Sequence, residues 1–237
     1  MSSDLNRRGF LSATAAVAVL GLADETRAEE AAGGGGQARK IKIVGVSCSP
    51  RKGKTTAAGL QIALAAAKEV APNVETELVE LAGMKIDGNL AAGVQAEPGV
   101  EDDFGKLVPV LSDAQVGGII IGTPVYFSGM SSLCKAFLER CMVFRKNNFA
   151  LSNRVGGVLA VGGARNGGQE TTIQSVQAAL MCQEMVVVGD GRPTAHTGAT
   201  LFNPGNDDVS GDQFGLSTAK NLGRRVAEVA IRLAGAR

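Results

Sequence analysis

From Lys40 onward the apolar positions switch repeatedly between a strand period and a helix period. Ile41, Ile43, Val44 and Val46 form a short apolar run ending in Ser47-Cys48-Ser49-Pro50, after which Thr56–Val70 is rich in Ala and Leu. The first reads as a strand, the second as a helix. Val74–Leu81 alternates polar and apolar residues, Gly118–Thr123 has the continuous apolar character of a buried strand, and Val155–Val161 and Met185–Val188 repeat it. Leu222, Val226, Val229 and Leu233 recur at helical spacing and mark the core stripe of a last helix. Five strands with helical segments between them, and no repeat of fixed period, predict a doubly wound α/β fold: a five-stranded parallel sheet with helices on both faces. In such folds ligands bind outside the carboxyl ends of the strands, so the loops that follow strands are where chemistry is expected.

The chain before Lys40 has a different pattern. Arg7-Arg8 precede an apolar run from Phe10 to Leu22, and Thr26-Arg27-Ala28 offers a small-residue cleavage point. The run is short for a bilayer span, which takes roughly 20 apolar residues. Asn6-Arg7-Arg8-Gly9-Phe10-Leu11 resembles a twin-arginine export signal, so residues 1–28 are expected to direct the chain to the periplasm and to leave no membrane span in the mature form. Residues 29–39, with Gly33 to Gly36 in a row, read as a flexible linker to a domain at 40–237.

Composition narrows the function. Of 237 residues 45% are hydrophobic and 20% charged, so a folded core is expected rather than disorder. Twenty-four Lys and Arg balance 23 Asp and Glu to +1, which supplies no field for holding nucleic acid. Glycine is abundant at 32 residues and aromatics are scarce at 4%, which favours tight turns and close backbone approaches.

Three loops after strands carry the candidate chemistry. In Ser49-Pro50-Arg51-Lys52-Gly53-Lys54-Thr55-Thr56, free amides at a helix start, hydroxyls and cations suit a phosphate. Gly122-Thr123-Pro124-Val125-Tyr126-Phe127-Ser128-Gly129 holds the single Tyr and interrupts helix formation before Ser131–Phe144, and its amides and aromatic pair can flank a flat ring. Gly162-Gly163-Ala164-Arg165-Asn166-Gly167-Gly168-Gln169 lets backbone touch a ligand edge.

The paired first and second loops, with Leu133-Cys134-Lys135-Ala136-Phe137-Leu138-Glu139-Arg140 after the second, resemble the flavodoxin-like NAD(P)H-dependent FMN reductases, and within them the iron–sulfur flavoprotein branch. The likeness runs from Ile41 to the C-terminus. It implies FMN at the strand ends. Ser49, Arg51, Thr55 and Thr56 would hold its phosphate, Pro124, Val125, Tyr126 and Phe127 would line the ring, and Gly163, Arg165 and Asn166 would face the pyrimidine edge. Gly129, Ser131 and Ser132 would leave room beside the ring. The expected activity is hydride transfer from NAD(P)H to flavin N5 and onward transfer to a second acceptor, a small molecule or redox protein, with the cofactor rather than a side chain doing the chemistry. The resemblance also implies a homodimer or homotetramer, with the irregular segment 191–214 reaching a neighbour's site.

The resemblance is incomplete at one point. The iron–sulfur branch carries closely spaced cysteines between the second strand and the next helix, whereas Met84–Val100 has none, so no cluster is expected. Cys48, Cys134, Cys141 and Cys182 are scattered and read as small buried hydrophobes, Cys48 alone bordering a helix start that favours a thiolate.

Other features read as structural or as rivals. Cys48–Thr55 falls one glycine short of G-x-x-x-x-G-K-T, making a phosphate-loop NTPase a rival, but Gly118–Gly122 runs into Thr123-Pro124 where a magnesium-binding Asp would stand. An exported flavodoxin-like electron carrier without NAD(P)H turnover is the other. His196 reads as a surface or rim contact, Glu101-Asp102-Asp103 as acids before a helix, and Arg224 and Arg225 as the solvated face of the last helix.

Overall fold

The computed structural model describes residues 39–236, so the expected export signal, and all of the expected linker but Arg39, lie outside the described residues. Strands β1 (Ile41–Ser47), β2 (Val74–Glu80), β3 (Val116–Tyr126) and β5 (Val155–Gly162) form a parallel sheet in the order β2-β1-β3-β5. Two short strands complete it on the free side of β5. β6 (Val186–Val187) pairs with Val155 and Gly156, and β7 (Ala199–Phe202) pairs with Leu159–Gly162. The five sheet positions expected from the sequence are present, but the fifth is shared by two fragments, and β7 lies inside the segment expected to be irregular. Four residues are too few to reveal a period, and the glycines on either side of the excursion hid the return.

A second departure follows Gly122. β3 continues through Pro124 to Tyr126 and turns back on the two-residue β4 (Gly129–Met130) as an antiparallel hairpin. Pro124 is tolerated there because the β1 ladder has already ended at the Ser47–Gly122 pair. The helix expected over Ser131–Phe144 is broken at Cys141 into α3 (Ser132–Arg140) and α4 (Met142–Lys146). The remaining helices are α1 (Thr55–Lys68), α2 (Leu107–Ser112), α5 (Gln169–Met181) and α6 (Gln213–Gly235).

Strand alternation divides the core into two layers. Val44, Val46, Ile119, Ile121 and Val158 pack with Phe137, Phe144, Ile173 and Leu180. Ile41, Ile43, Ile120 and Leu159 pack on the other face with Leu60, Leu64, Leu222 and Val226 of α1 and α6. The second layer is thin because sheet glycines sit beneath the helices: a Cβ on Gly118 would lie 2.6 Å from Val226, and one on Gly122 would lie 2.7 Å from Leu60. The tightest approach is between the helices, where a Cβ on Gly223 would stand 1.8 Å from the Ala63 carbonyl oxygen. No helix among the described residues is long and apolar enough to cross a membrane.

A methyl group at Gly223 meets backbone rather than a flexible side chain, so α1 and α6 must separate to admit it. Gly223→Ala should therefore lower unfolding free energy by about 3 kcal/mol in urea denaturation of the full chain, while alanine at Gly163, where nothing lies within 4 Å, should leave it nearly unchanged.

Candidate functional site

Because β1, β3 and β5 are adjacent and parallel, the loops that follow them leave from one rim at successive spacings of about 4.8 Å. The topology therefore brings the three loops singled out from the sequence together.

In the first loop the Ser49 hydroxyl accepts from the Arg51 amide (3.1 Å) and is buried, so it shapes the turn. Gly53 takes a positive φ of 65° and donates its N–H to Glu80 Oε2 at 2.7 Å. Thr55 and Thr56 are buried at the start of α1, and Thr56 touches the floor beneath Gly122. No side chain caps α1, which leaves its first amides and the positive end of its dipole facing the rim. Arg51 and Lys54 both reach the carboxylate of Asp207, at 2.7 and 3.3 Å, and these cations hold the Asp207 carboxyl below its usual range, Arg51 foremost. An anion thus already rests on this cationic pair.

The second loop is the hairpin tip. Pro124 is buried, Val125 half-buried, Tyr126 45% exposed and Phe127 wholly exposed. Phe127 and Ser128 have φ of 50° and 60°, the paired left-handed geometry of a tight hairpin, which a bulky aromatic residue adopts only under constraint. The return is stitched down by Ser131. Its hydroxyl donates to the Cys48 carbonyl (2.7 Å) and accepts from the Cys134 amide (3.1 Å), capping α3, while its own N–H donates to Thr123 Oγ1. Ser131 is therefore buried framework, not the open space expected beside a ring, and the pattern Ser-x-x-Cys gave no hint of the bond to Cys48.

The third loop exposes Gly163, Ala164, Arg165 and Asn166, the last with φ 57°. The buried Gln169 builds it, accepting from the Gly167 amide at 2.8 Å and donating to the Ala164 carbonyl at 2.7 Å. The loop also touches the hairpin tip: Thr171 Oγ1 donates to the Ser128 carbonyl, and a Cβ on Gly168 would meet Ser128 at 2.6 Å. Arg165 is turned to Asp212, whose side chain is only 3% exposed, and its guanidinium carbon lies 5.6 and 6.0 Å from the ring centres of Phe202 and Phe214. Asp212 also accepts from the amides of Phe202 and Gly215, the latter capping α6. Asp207, Asp212 and Gln169 are the site residues that sequence reasoning missed, because each acts across a turn or a long loop with no fixed spacing.

The cysteine expectations divide. Cys48, Cys134 and Cys141 are buried, and burial pushes the Cys48 thiol well up, with the neighbouring Cys134 adding to it; the helix start does not make a thiolate. Cys182 is exposed, contrary to its reading as a buried hydrophobe, because it caps the solvent end of α5. Among the described residues no three His, Cys, Asp or Glu side chains gather where they could hold a metal ion. His196 is half exposed, edge-on to Phe214 at 5.8 Å.

The sheet order and three-loop rim define a doubly wound, flavodoxin-like α/β protein. The profile of NADPH-dependent FMN reductases matches residues 41–200. The chain is 40% identical over 193 residues to an iron–sulfur flavoprotein of Methanocaldococcus jannaschii, covering 80% of this chain and 97% of that one. It is 33% identical over 151 residues to an NAD(P)H dehydrogenase (quinone) of Paracoccus denitrificans, covering 58% of this chain and 72% of the other. The structure of RosB with a bound 8-demethyl-8-formylriboflavin-5′-phosphate aligns at a TM-score of 0.63 and 16% identity over 82% of this chain and 81% of that one, a likeness of fold. The chain belongs to the NADPH-dependent FMN reductase family and is an oxidoreductase.

Ser131→Ala removes a helix cap and strands the Cys48 carbonyl in the interior. The expected cost is about 2–3 kcal/mol in denaturant unfolding, whereas Ser132→Ala, one residue on and exposed, should cost under about 0.5 kcal/mol.

Proposed function

We propose that the chain binds FMN at this rim, takes a hydride from NAD(P)H and passes the electrons to a second acceptor. The observation that carries this reading is the anion seat: an uncapped α1 start beside Arg51 and Lys54, both already gathered on a carboxylate. The donor set fits a phosphate monoester, since amides, a guanidinium and an ammonium can share its oxygens. In this arrangement Arg51 and Lys54 exchange Asp207 for the phosphate, and the α1 amides supply the remaining donors. Thr55 and Thr56 contribute through their amides, their side chains being buried. The hairpin residues Pro124 to Phe127 flank the ring on one side, and the amides of Gly163 to Asn166 bond its pyrimidine edge. Bound FMN supplies hydride acceptance at N5 and electron return. Arg165 lends positive charge near that edge while Asp212 holds it in place, an electrostatic contribution of the kind that favours reduction.

The quinone named for the Paracoccus relative offers one acceptor class. Met84–Val100 has no cysteine, so the reading is of a flavin centre alone. The Arg7-Arg8 segment supports export of a folded, flavin-loaded chain to the periplasm, where nicotinamide is scarce, and this favours the electron carrier as the second reading. FMN at the contact of two or four copies, with segment 191–214 near a neighbour, also belongs to this proposal.

The purified chain should be yellow, carry about one FMN and yield neither iron nor acid-labile sulfide. Anaerobic NADPH or NADH should bleach it within seconds; slow bleaching with ready dithionite reduction would instead identify a carrier, and a chain that stays colourless with excess FMN would refute both. Arg51→Ala should weaken FMN binding about tenfold or more, the loss of one charge-assisted contact. Asp207→Asn should tighten it about two- to fivefold, by releasing the cations from an exposed competitor.

Cell fractionation checks the address. With Arg7 and Arg8 both replaced by Lys the product should remain cytoplasmic, and unchanged periplasmic delivery would sink the twin-arginine reading.

A further inference from the structure

The loop between β6 and β7 and the solvent side of α6 enclose a cleft of about 550 Å³, within the range of roughly 300–1,000 Å³ typical of small-molecule sites. Its walls carry Arg192, Arg224, Arg225 and Arg232 against one carboxylate, Glu228. In a chain whose charges sum to only +1, four guanidiniums facing one space are a local excess. The excess is not neutralised within the fold. Arg225 lies 3.8 Å from Glu228, Arg224 donates to the Asn221 side-chain oxygen at 3.0 Å, and the guanidiniums of Arg192 and Arg232 have no ion-pair or hydrogen-bond partner among the described residues.

The cleft is also built rather than incidental. Asp190, wholly buried, accepts from the Thr194 hydroxyl and the His196 amide, closing the loop that carries Arg192. Asn221, 2% exposed, ties that loop to α6 by donating to Thr194 Oγ1 at 2.9 Å while orienting Arg224 through its other atom. Gly191, at φ 75°, leaves space for the stem of Arg225, whose Cβ, Cγ and Cδ would lie 3.1–3.3 Å from any Cβ there. The guanidiniums are thus held on two elements locked to each other, which lowers the ordering cost of binding.

Position separates this cleft from the rim. Asn221 stands nine residues beyond Asp212, about 13 Å down the axis of α6 at 1.5 Å per residue, and Arg232 is farther still. Arg225 and Arg232 are two turns apart, about 10 Å, with Arg192 approaching from the facing loop. Donors that converge from different sides match the oxygens of phosphoryl groups, which point in several directions, better than the planar pair of a carboxylate.

We propose that this cleft is a second binding site, for a compact polyanion bearing two or more phosphoryl groups. The proposal does not depend on how the rim is used. Titration calorimetry of the full, FMN-loaded chain with inorganic tripolyphosphate in about 0.1 M salt should give saturable one-to-one binding with a Kd below about 1 mM. The pair Arg225→Gln with Arg232→Gln should weaken it at least about tenfold, with circular dichroism and flavin absorbance unchanged. Arg192→Gln, on the exposed loop tip, should weaken it severalfold and serves if the double variant is unstable. Arg51→Ala should leave it unaltered. Absence of saturable binding, loss of binding in Arg51→Ala, or indifference to the cleft substitutions would overturn the proposal, and citrate binding as tightly as tripolyphosphate would overturn its phosphoryl assignment.

Discussion

The contact on which the rest of the structure depends is the backbone approach of α6 to α1 at Gly223 and Ala63. α1 begins in the first loop and α6 begins at Asp212, so the crossing of these two helices fixes how far Lys54 and the α1 amides stand from the carboxylate that holds Arg165. A larger residue at 223 would widen the crossing and move both helix starts. The sheet glycines serve the same end. Gly118 and Gly157 let Val226 sink onto the sheet, and Gly122 admits Leu60, so both helices lie low enough for their N-termini to meet the strand ends rather than overhang them.

Two aspartates of the rim have opposite energetic characters. Asp207 is exposed enough that solvent screens its bonds to Arg51 and Lys54, and pairs of that kind contribute at most about 1 kcal/mol. Such a carboxylate is easily displaced by a more highly charged anion. Asp212 is almost fully buried and committed to three donors: it holds Arg165, the start of α6 and the Phe202 amide of β7 at once. Removing it would leave a guanidinium and two amides without partners, so it belongs to the frame. The contrast assigns exchange to the first loop and rigidity to the third.

How much of this was legible depended on the range of the interaction. The strands read from the runs Ile41–Val46, Gly118–Thr123 and Val155–Val161 fall within β1, β3 and β5, and parallel topology then places their loops together without further information. Arg51, Tyr126 and Arg165 are therefore recognisable as rim residues from local composition alone. Their partners are not: Arg51 meets Asp207 across 156 residues and Arg165 meets Asp212 across 47, and nothing in either neighbourhood marks the choice. β7 escaped notice for the same reason, since Ala199–Phe202 is a strand only because Leu159–Gly162 has a free edge. Ser131 was read as open space for its small size; only the fold shows its hydroxyl capping α3 and bonding the Cys48 carbonyl.

The segment between β2 and α2 has no cysteine between Met84 and Val100 and is held by ordinary side chains. Arg140, on α3, donates to the Asp87 carbonyl at 3.1 Å, meets both carboxylate oxygens of Asp102 and lies 4.9 Å above the ring of the buried Phe104. Asp103 accepts from the Lys85 amide at 2.8 Å, drawing the two ends of the segment together. One guanidinium thus bonds a carbonyl near the start of this stretch and a carboxylate near its end, and packs on the aromatic residue that anchors it in the core. These contacts give the segment fixed points at Asp87, Asp102 and Phe104 with ordinary side chains. Of the acids at 101–103, read from the sequence as complements to a helix dipole, Asp102 instead fastens the segment to α3, while Glu101 and Asp103 pair with Lys85 and Lys106 nearby, and the short turn Phe104–Lys106 separates all three from α2.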